Sequence, residues 1–335
     1  KVSVIIPCRN EERYIEKCVM AVLRSDNGDY QFDVIVCDGQ SDDDTLKILH
    51  GIQKDHTNLK VIDNPHRSTP QGLNIGLKAS DADVKIILGA HSEVASDFIS
   101  QNLNILEQHP DAGCVGGVLE NVYENRTAKT IGLAMSSRFG VGNAGFRTGQ
   151  KDGSVDTVAF GAYRQEVFDT IGYFDEELVR NQDDEFNFRV IKAGYKIYLS
   201  SSIKCRYFVR SSYRKLWKQY LQYGYWKVWV NVKHSTVTTL RQLVPLFFVL
   251  FLIIGSLLSM VSPELAIVFL MGVAFYTTIS IITSISIGGF SLRLPSLVAV
   301  FGILHLSYGV GYLIGLVRFV VFRMRPSRKF GTLSR

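Results

Sequence analysis

Across residues 1–120, short β-branched runs alternate with segments of helical spacing, and few architectures accept that order. Residues 2–7 read as a strand. Residues 11–23 carry Ile15, Val19 and Val22 on one helical face. Residues 32–37 form a second strand, and Ser41 stands where it would cap a helix burying Leu46, Ile48 and Leu49. Residues 59–62, 84–88 and 114–118 continue the strands. Pro70 opens one helix at its first turn, and residues 97–108 form another. Near-continuous apolar strands separated by helices predict an α/β domain with a mostly parallel sheet, covered on both faces and joined by right-handed crossovers.

Such sheets bind ligands outside the carboxyl ends of their strands. Three polar clusters stand there: Pro7-Cys8-Arg9-Asn10-Glu11, Asp38-Gly39-Gln40-Ser41-Asp42 and Gly89-Ala90-His91-Ser92-Glu93. Residues 136–154 hold Gly140, Gly142, Gly145, Gly149 and Gly153, which predicts a loop without regular structure, either a mobile lid or a plain connector. Arg138 and Arg147 within it suit an anionic ligand. Residues 156–160 read as a strand, 165–170 as a helix and 195–199 as the last strand of the domain. Before that last strand comes Arg180-Asn181-Gln182-Asp183-Asp184-Glu185, acids at the start of a helix with an apolar stripe at Phe186, Val190 and Ile191. Acids suit the positive end of a helix dipole. A carboxylate held there against a pocket can also take a proton from a hydroxyl nucleophile. The run by itself leaves both readings open.

The formal net charge is +6, and it is unevenly spread. Acids gather before residue 200, while from Lys204 onward nearly every charge is Lys or Arg. Those cations flank apolar runs and form no aromatic-basic nucleic-acid motif. They point to an anionic membrane surface and exclude a nucleic-acid partner. Residues 213–233 mix Trp and Tyr with Lys and Arg, as an interfacial amphipathic helix does; a soluble aromatic core helix is the alternative. Three apolar stretches follow, 243–261, 265–287 and 297–322, each long enough for a hydrocarbon core that needs about 20 residues. The expected plan is a cytoplasmic catalytic domain (1–208), interfacial helices (209–241), an inner-membrane domain of three segments (242–323) and a basic tail (324–335). Three crossings would carry the tail outside, whereas Arg323, Arg325, Arg328 and Lys329 argue for inside. The sequence leaves the tail's side open. Cys8, Cys18, Cys37, Cys114 and Cys205 are odd in number and lack a CxxC pair, so they read as small buried residues in a reducing compartment. No signal-peptide pattern precedes the first strand, and Lys1 runs directly into it, as in a start that has been trimmed.

The opening VSVIIPCRNE, the second-strand VIVCDGQSDDDT and the later GAYRQEVFDTIGYFDEELVRNQDDEFNFRV look like the sequence markers of family 2 inverting glycosyltransferases, in that family's order. Residues 1–230 resemble this family, whose fold is the nucleotide-diphospho-sugar-binding GT-A fold. FGVGNAGFRTG, VRNQDDE and KQYLQYGYWK are similar to segments of its membrane-attached, succinoglycan-type glucosyltransferases of exopolysaccharide assembly. The resemblance implies inverting transfer of a sugar from a UDP-sugar to a hydroxyl of a lipid-linked, polyprenyl-diphosphate saccharide. It sets Asp38 against the uracil, Pro7, Arg9 and Glu11 around the nucleoside, and Ala90 and Gly161 at the donor. His91 takes the last position of the acidic DxD motif, which holds Mn2+ or Mg2+. Gly89 replaces the first Asp, so His91 is either a ligand, better suited to Mn2+, or a structural residue. The departing diphosphate needs its charge neutralised, a task that Arg138, Arg147, Arg210 and Arg214 could share. Aligning the family's Glu-Asp pair and its following helix on Arg189 makes Asp183 the base. Asp184 lies one residue out of register, and Glu185 is left to cap or pair locally. Gln219 and Trp226 resemble the QxxRW acceptor motif of processive members, but no Arg precedes Trp226, which implies a single transfer. A polyprenyl-phosphate glycosyltransferase is the rival reading, since its acceptor is already ionised and needs no base. A non-catalytic nucleotide-binding membrane scaffold is the reading from another class.

Overall fold

The structure, a computed structural model, describes residues 1–26, 28, 30–149, 151–291 and 293–326. Arg328 and Lys329 of the basic tail lie outside the described residues. In chain order the elements are β1 (Val2–Cys8), α1 (Ile15–Leu23), β2 (Phe32–Asp38), α2 (Thr45–Asp55), β3 (Leu59–Asp63), α3 (Thr69–Ala79), β4 (Val84–Ile87), β5 (Ser92–Val94), α4 (Phe98–Gln108) and β6 (Ala112–Val122). Then come α5 (Arg126–Met135), α6 (Arg138–Val141), α7 (Gly145–Thr148), β7 (Gly153–Val155), β8 (Ala159–Arg164), α8 (Gln165–Ile171), α9 (Gln182–Lys192) and β9 (Lys196–Phe208). The last four are α10 (Tyr213–His234), α11 (Val244–Leu258), α12 (Pro263–Gly288) and α13 (Leu294–Gly315). The chain divides into two compact units: Lys1–Val122 with Gly145–Phe208, and Tyr123–Ala144 with the chain from Val209 onward.

The first unit is a GT-A-like α/β domain built on one sheet, ordered β3-β2-β1-β4-β8-β6-β9-β5 among the described residues, with β7 also paired to β9. β1 to β4 are parallel. β8 enters antiparallel between β4 and β6, so the series is mixed beyond β4. β1 has β2 on one edge and β4 on the other, which is the switch in chain order where a crevice opens beyond the strand ends. Val4, Ile6, Val34 and Val36 bury one sheet face under the Ile15–Val19–Val22 stripe of α1. Ile5, Ile35 and Cys37 bury the other with Leu73, Phe186 and Val190. With both faces covered, successive strand residues are all apolar, which is why the strands were legible.

Several expectations need correction. Residues 136–154 are not irregular, because they form α6, α7 and part of β7. Ser137 starts α6 by accepting the Gly140 N–H at 3.0 Å, local bonding that glycine content conceals. The strand expected at 156–160 forms at Ala159–Arg164, where Cys114 pairs with Tyr163. Ser41 does not cap α2, which begins at Thr45. β9 runs on to Phe208, with Ile203, Cys205 and Tyr207 buried and Lys204 and Arg206 exposed. The cysteines are free and buried, as expected.

The second unit holds α5, α6 and α10 to α13. Among the described residues, three of its helical stretches are long and apolar enough to cross a membrane: Leu240–Leu258, Pro263–Gly288 and Leu294–Val321, with mean hydropathies of 2.1, 2.3 and 1.9. In α10, Gly224 to Val228 are buried, whereas its first turns leave Arg214, Lys215, Trp217 and Lys218 exposed and Val232 is exposed near its end.

Candidate active site

Three strand-end turns meet at the switch point. Asn10, Gln40 and Arg67, which follow β1, β2 and β3, are left-handed at φ 56°, 54° and 58°. Such backbone costs free energy at non-glycine residues and persists where its surroundings enforce it. Here hydrogen bonds enforce it. The Asn10 N–H donates to Ser41 Oγ at 2.9 Å, and the Asp42 N–H donates to Asn10 Oδ1 at 3.0 Å. The Glu11 N–H donates to Thr45 Oγ1 at 2.9 Å. Asp38 is 1% exposed and accepts from both the Ser41 N–H (2.9 Å) and the Ser41 hydroxyl (2.5 Å). It braces the turn, with acceptor capacity left over, since a carboxylate offers about four lone-pair sites.

Pro7 and Arg9 are half-buried beside these turns. Ala90 is buried in the core, and a side chain on Gly161 would come within 2.7 Å of Cys114 Sγ. These last two shape the backbone and offer no polar group.

His91 lies with its Nδ1 3.9 Å from Glu11 Oε1. Its ring meets Tyr207 edge-on at 5.4 Å. Strand pairing causes this contact, because Ser92 of β5 is in register with Tyr207 of β9. Arg147, from α7, lies over the same Tyr207 ring at 5.2 Å. Its Nη1 is buried without a hydrogen-bond partner among the described residues. A guanidinium N–H left so can serve an anionic oxygen. No group of three or more His, Cys, Asp or Glu among the described residues could hold a metal ion. His91 and Glu11 supply one nitrogen and one oxygen, a donor set that fits a divalent ion completed by diphosphate oxygens and water. The missing first Asp has a physical counterpart. A Cβ on Gly89 would lie 3.1 Å from the Phe160 ring, and Phe160 is itself left-handed at φ 52°. The Phe160 ring and the His91 ring, 3.3 Å away, crowd the position that a side chain there would take.

The acidic run opens α9 behind a left-handed Asn181. Glu185 is 3% exposed and bound to Arg189 at 2.8 and 3.0 Å, as the local-pairing expectation had it. Arg189 also donates to the carbonyls of Ile171 and Tyr173. Helical residues advance by about 100°, so Asp183 falls in line with Phe186, Asn187 and Val190, one turn nearer the helix start. Those three are buried, whereas Asp183 is exposed. Asp184 stands a step off this line. Ile191 also stands off it and is 42% exposed, so it is not part of the buried stripe. Below Asp183, the Tyr163 hydroxyl donates to Asn187 Oδ1 and Asn187 donates to Thr157, each at 2.9 Å. Burial pushes the Tyr163 phenol well above its ordinary range, and the neighbouring Cys114 thiol and Asp183 carboxylate add to the rise.

Arg138, Arg210, Arg214, Gln219 and Trp226 belong to the second unit. Arg210 donates to Gln219 Oε1 at 2.6 Å, and Gln219 donates to the Tyr223 hydroxyl at 2.7 Å. Trp226 is buried there, while Arg138 and Arg214 are exposed. Sequence reasoning missed Tyr207 and Phe160. The alternation Ile203-Lys204-Cys205-Arg206-Tyr207 was a readable strand signal for the first. Nothing local announced the second, whose left-handed backbone is a tertiary feature.

The chain is similar to known proteins in sequence and in fold. The chain is 32% identical over 230 residues to a dolichyl N-acetyl-alpha-D-glucosaminyl phosphate 3-beta-D-2,3-diacetamido-2,3-dideoxy-beta-D-glucuronosyltransferase of Methanococcus voltae, covering 67% of this chain and 71% of that one. It is 28% identical over 262 residues to the succinoglycan biosynthesis protein ExoA of Rhizobium meliloti (strain 1021), covering 77% and 78%. The solved mannosyltransferase PcManGT from Pyrobaculum calidifontis, in complex with GDP-Man and Mn2+, shares the fold with a TM-score of 0.65 at 16% identity, over 93% of this chain and 86% of that one. The sequence pattern described as Glycosyl transferase family 2 matches residues 3–172, the stretch that holds β1 to β6, the strand-end turns and His91. The chain therefore belongs to glycosyltransferase family 2.

Proposed function

We propose that this glycosyltransferase moves a sugar from a UDP-sugar to a hydroxyl of a lipid-linked saccharide, with inversion and one sugar at a time, in polysaccharide or glycoconjugate assembly. The observation that carries the reading is the division of labour in the acidic run. Arg189 neutralises Glu185, and Asp183 is left exposed in line with the buried face of α9. In this reading Asp183 takes the acceptor's proton as its oxygen attacks the anomeric carbon in line. Asp184 is the alternative base. No second carboxylate serves as nucleophile, so the displacement is single and the configuration inverts.

Arg147 would meet the diphosphate, with its buried Nη1 directed to an oxygen. His91 and Glu11 would hold Mn2+ or Mg2+, which when bound supplies charge neutralisation at the leaving diphosphate. Asp38 would accept from the uracil N–H, with Pro7, Arg9, Ala90 and Gly161 shaping the donor pocket. In the second unit, Arg138, Arg214 and the Arg210–Gln219 pair are offered to the acceptor's phosphates. The three apolar stretches would fix the enzyme in the inner membrane with its catalytic domain cytoplasmic. The name of the Methanococcus relative, which specifies a sugar carried on a dolichyl phosphate, supports a lipid-linked acceptor. The exopolysaccharide role named for ExoA supports polymer assembly.

The test is a donor screen against lipid acceptors extracted from membranes, followed by linkage analysis of the product. Transfer from a GDP- or dTDP-sugar and from no UDP-sugar would overturn the Asp38 assignment. Substantial transfer by Asp183→Asn to a polyprenyl phosphate would favour the rival reading. Absence of UDP binding with and without Mn2+ would favour the scaffold.

A further inference from the structure

α13 is as apolar as a crossing helix, yet its surroundings are not those of one. Half of the apolar 18-residue window within Leu294–Val321 is buried by the protein itself, against 11% and 6% for the corresponding windows of Leu240–Leu258 and Pro263–Gly288. What buries it matters more than how much. At its middle, the Phe139 ring of α6 meets Phe301 and His305 edge-on at 4.9 and 5.0 Å. His305 Nε2 lies 2.8 Å from the Phe139 carbonyl, and Nδ1 lies 2.9 Å from the Tyr276 hydroxyl of α12. A carbonyl only accepts, so Nε2 carries the proton and Nδ1 accepts from Tyr276. α6 sits in residues 123–144, a short excursion that begins where β6 ends and finishes where α7 starts. The same Phe139 ring also meets Tyr276, at the middle of α12, at 5.7 Å, so this cluster buries α13 without fixing its depth.

The second half of α13 packs against α10. The backbones nearly touch: a Cβ on Gly224 would lie 2.0 Å from the Tyr308 carbonyl, and one on Gly311 would lie 2.0 Å from that of Leu221. Phe319 meets Tyr225 and Trp229 at 4.8 and 5.0 Å, and Asn231 donates to the Tyr312 hydroxyl at 2.8 Å. α10 follows directly on β9 and carries exposed Arg214, Lys215 and Lys218 and a fully buried Lys227. A crossing α13 would drag this cationic helix into hydrocarbon, where charges are costly. α13 meets α11 near that helix's start, where Gly309 abuts the Pro245 carbonyl. Farther along, α11 and α12 pack on each other through Phe251 and Phe269 while Ile254, Leu257, Val268 and Met271 stay exposed.

We infer that α13 does not cross the bilayer. It lies with α10 along the leaflet from which α10 enters, and Val317, Val320, Val321 and Phe322, exposed on the helical turn Leu316–Val321 and its end, dip into the headgroup–acyl boundary. Only α11 and α12 cross. Arg318, Arg323 and Arg325 then face the same anionic lipid surface as Arg214, Lys215 and Lys218, and the conflict between three crossings and a basic tail disappears.

Single cysteines test this in the full chain, in membrane vesicles of one orientation. The native thiols are all buried and give a low background. Ser212→Cys, Ser262→Cys and Arg325→Cys are each exposed to a membrane-impermeant maleimide before and after detergent. The expected result is that Ser212→Cys and Arg325→Cys label from one side and Ser262→Cys from the other. Labelling of Arg325→Cys together with Ser262→Cys would overturn the inference. Trypsin added to the same vesicles without any substitution gives a second reading. Cleavage after Arg323 should need access to the face that exposes Arg214; the Arg325–Pro326 bond itself resists trypsin. Cleavage from the opposite face alone would overturn the inference as well.

Discussion

The imidazole of His91 meets the ring of Tyr207 edge-on at 5.4 Å, and that contact follows from a strand register. Because Arg147 lies over the same Tyr207 ring, one aromatic ring touches both the metal-side and phosphate-side groups of the proposed donor site. Tyr207→Ala is expected to weaken UDP binding in the presence of Mn2+ by about tenfold, the loss of roughly 1.4 kcal/mol of packing and cation–π attraction. Tyr207→Phe should keep most of the affinity. Isothermal titration of the purified full chain checks this, and equal losses in both variants would show that the hydroxyl, not the ring, matters.

Asp183→Asn is expected to lower transfer by about 10²–10⁴-fold, the usual worth of a positioned general base. UDP binding should be unchanged. Asp184→Asn should cost less than about tenfold if that residue only borders the line of approach. Single-turnover rates with a donor from the screen separate the two, and a reversed order would move the base to Asp184.

Glu185 tests the opposite role. Removing the Arg189 partner of this buried carboxylate by Arg189→Leu should destabilise the fold by about 3–5 kcal/mol. Replacing both, Glu185→Leu with Arg189→Leu, should recover part of that loss. Denaturant midpoints of the single and double variants provide the measurement.

The buried thiols set an alkaline limit. Burial pushes Cys18 and Cys37 up to about 12, from about 8.5 in an unfolded chain. Between those values the folded state holds protons that the unfolded state releases. Their contribution to stability is therefore complete below about pH 8.5 and is lost as pH rises toward 12. Replacing Cys18 and Cys37 by Ala should flatten this alkaline decline, as followed by thermal unfolding across pH. The same thiols should resist alkylation until the protein unfolds.

Asp38 carries two jobs that substitution can separate. Asp38→Asn keeps the Ser41 N–H bond through its carbonyl oxygen but replaces the second acceptor with a donor facing the Ser41 hydroxyl. Stability should fall by about 1 kcal/mol, the scale of one hydrogen bond. If the base is also read here, UDP affinity should fall relative to affinity for a bare diphosphate.

Local pattern carried much of the first unit. Ile15, Val19 and Val22, and the strand residues of β1 to β4, are buried as their spacing demanded, because helical and extended periodicities are properties of the chain itself. The strand-end clusters were legible for the same reason. Antiparallel β8, the extension of β9 and short β5 were not, since each is stabilised by a partner far away in sequence. Glycine content misled at residues 136–154, where Ser137 and Gly140 build a helical turn. In the second unit, hydropathy identified three apolar stretches, but it cannot tell whether lipid or protein covers them.

The sequence by itself determined the parallel α/β half, its polar strand ends, the buried cysteines and the presence of apolar helices, because these rest on residue type and short-range spacing. Tertiary structure alone decided that Tyr207 touches both His91 and Arg147, that Phe160 crowds Gly89 and that Glu185 is paired with Arg189. It also decided that α13 is wrapped by α6 and α10. Each of these depends on which distant segments share a register or a packing face, and free energy of that kind belongs to pairs of segments, not to any one of them.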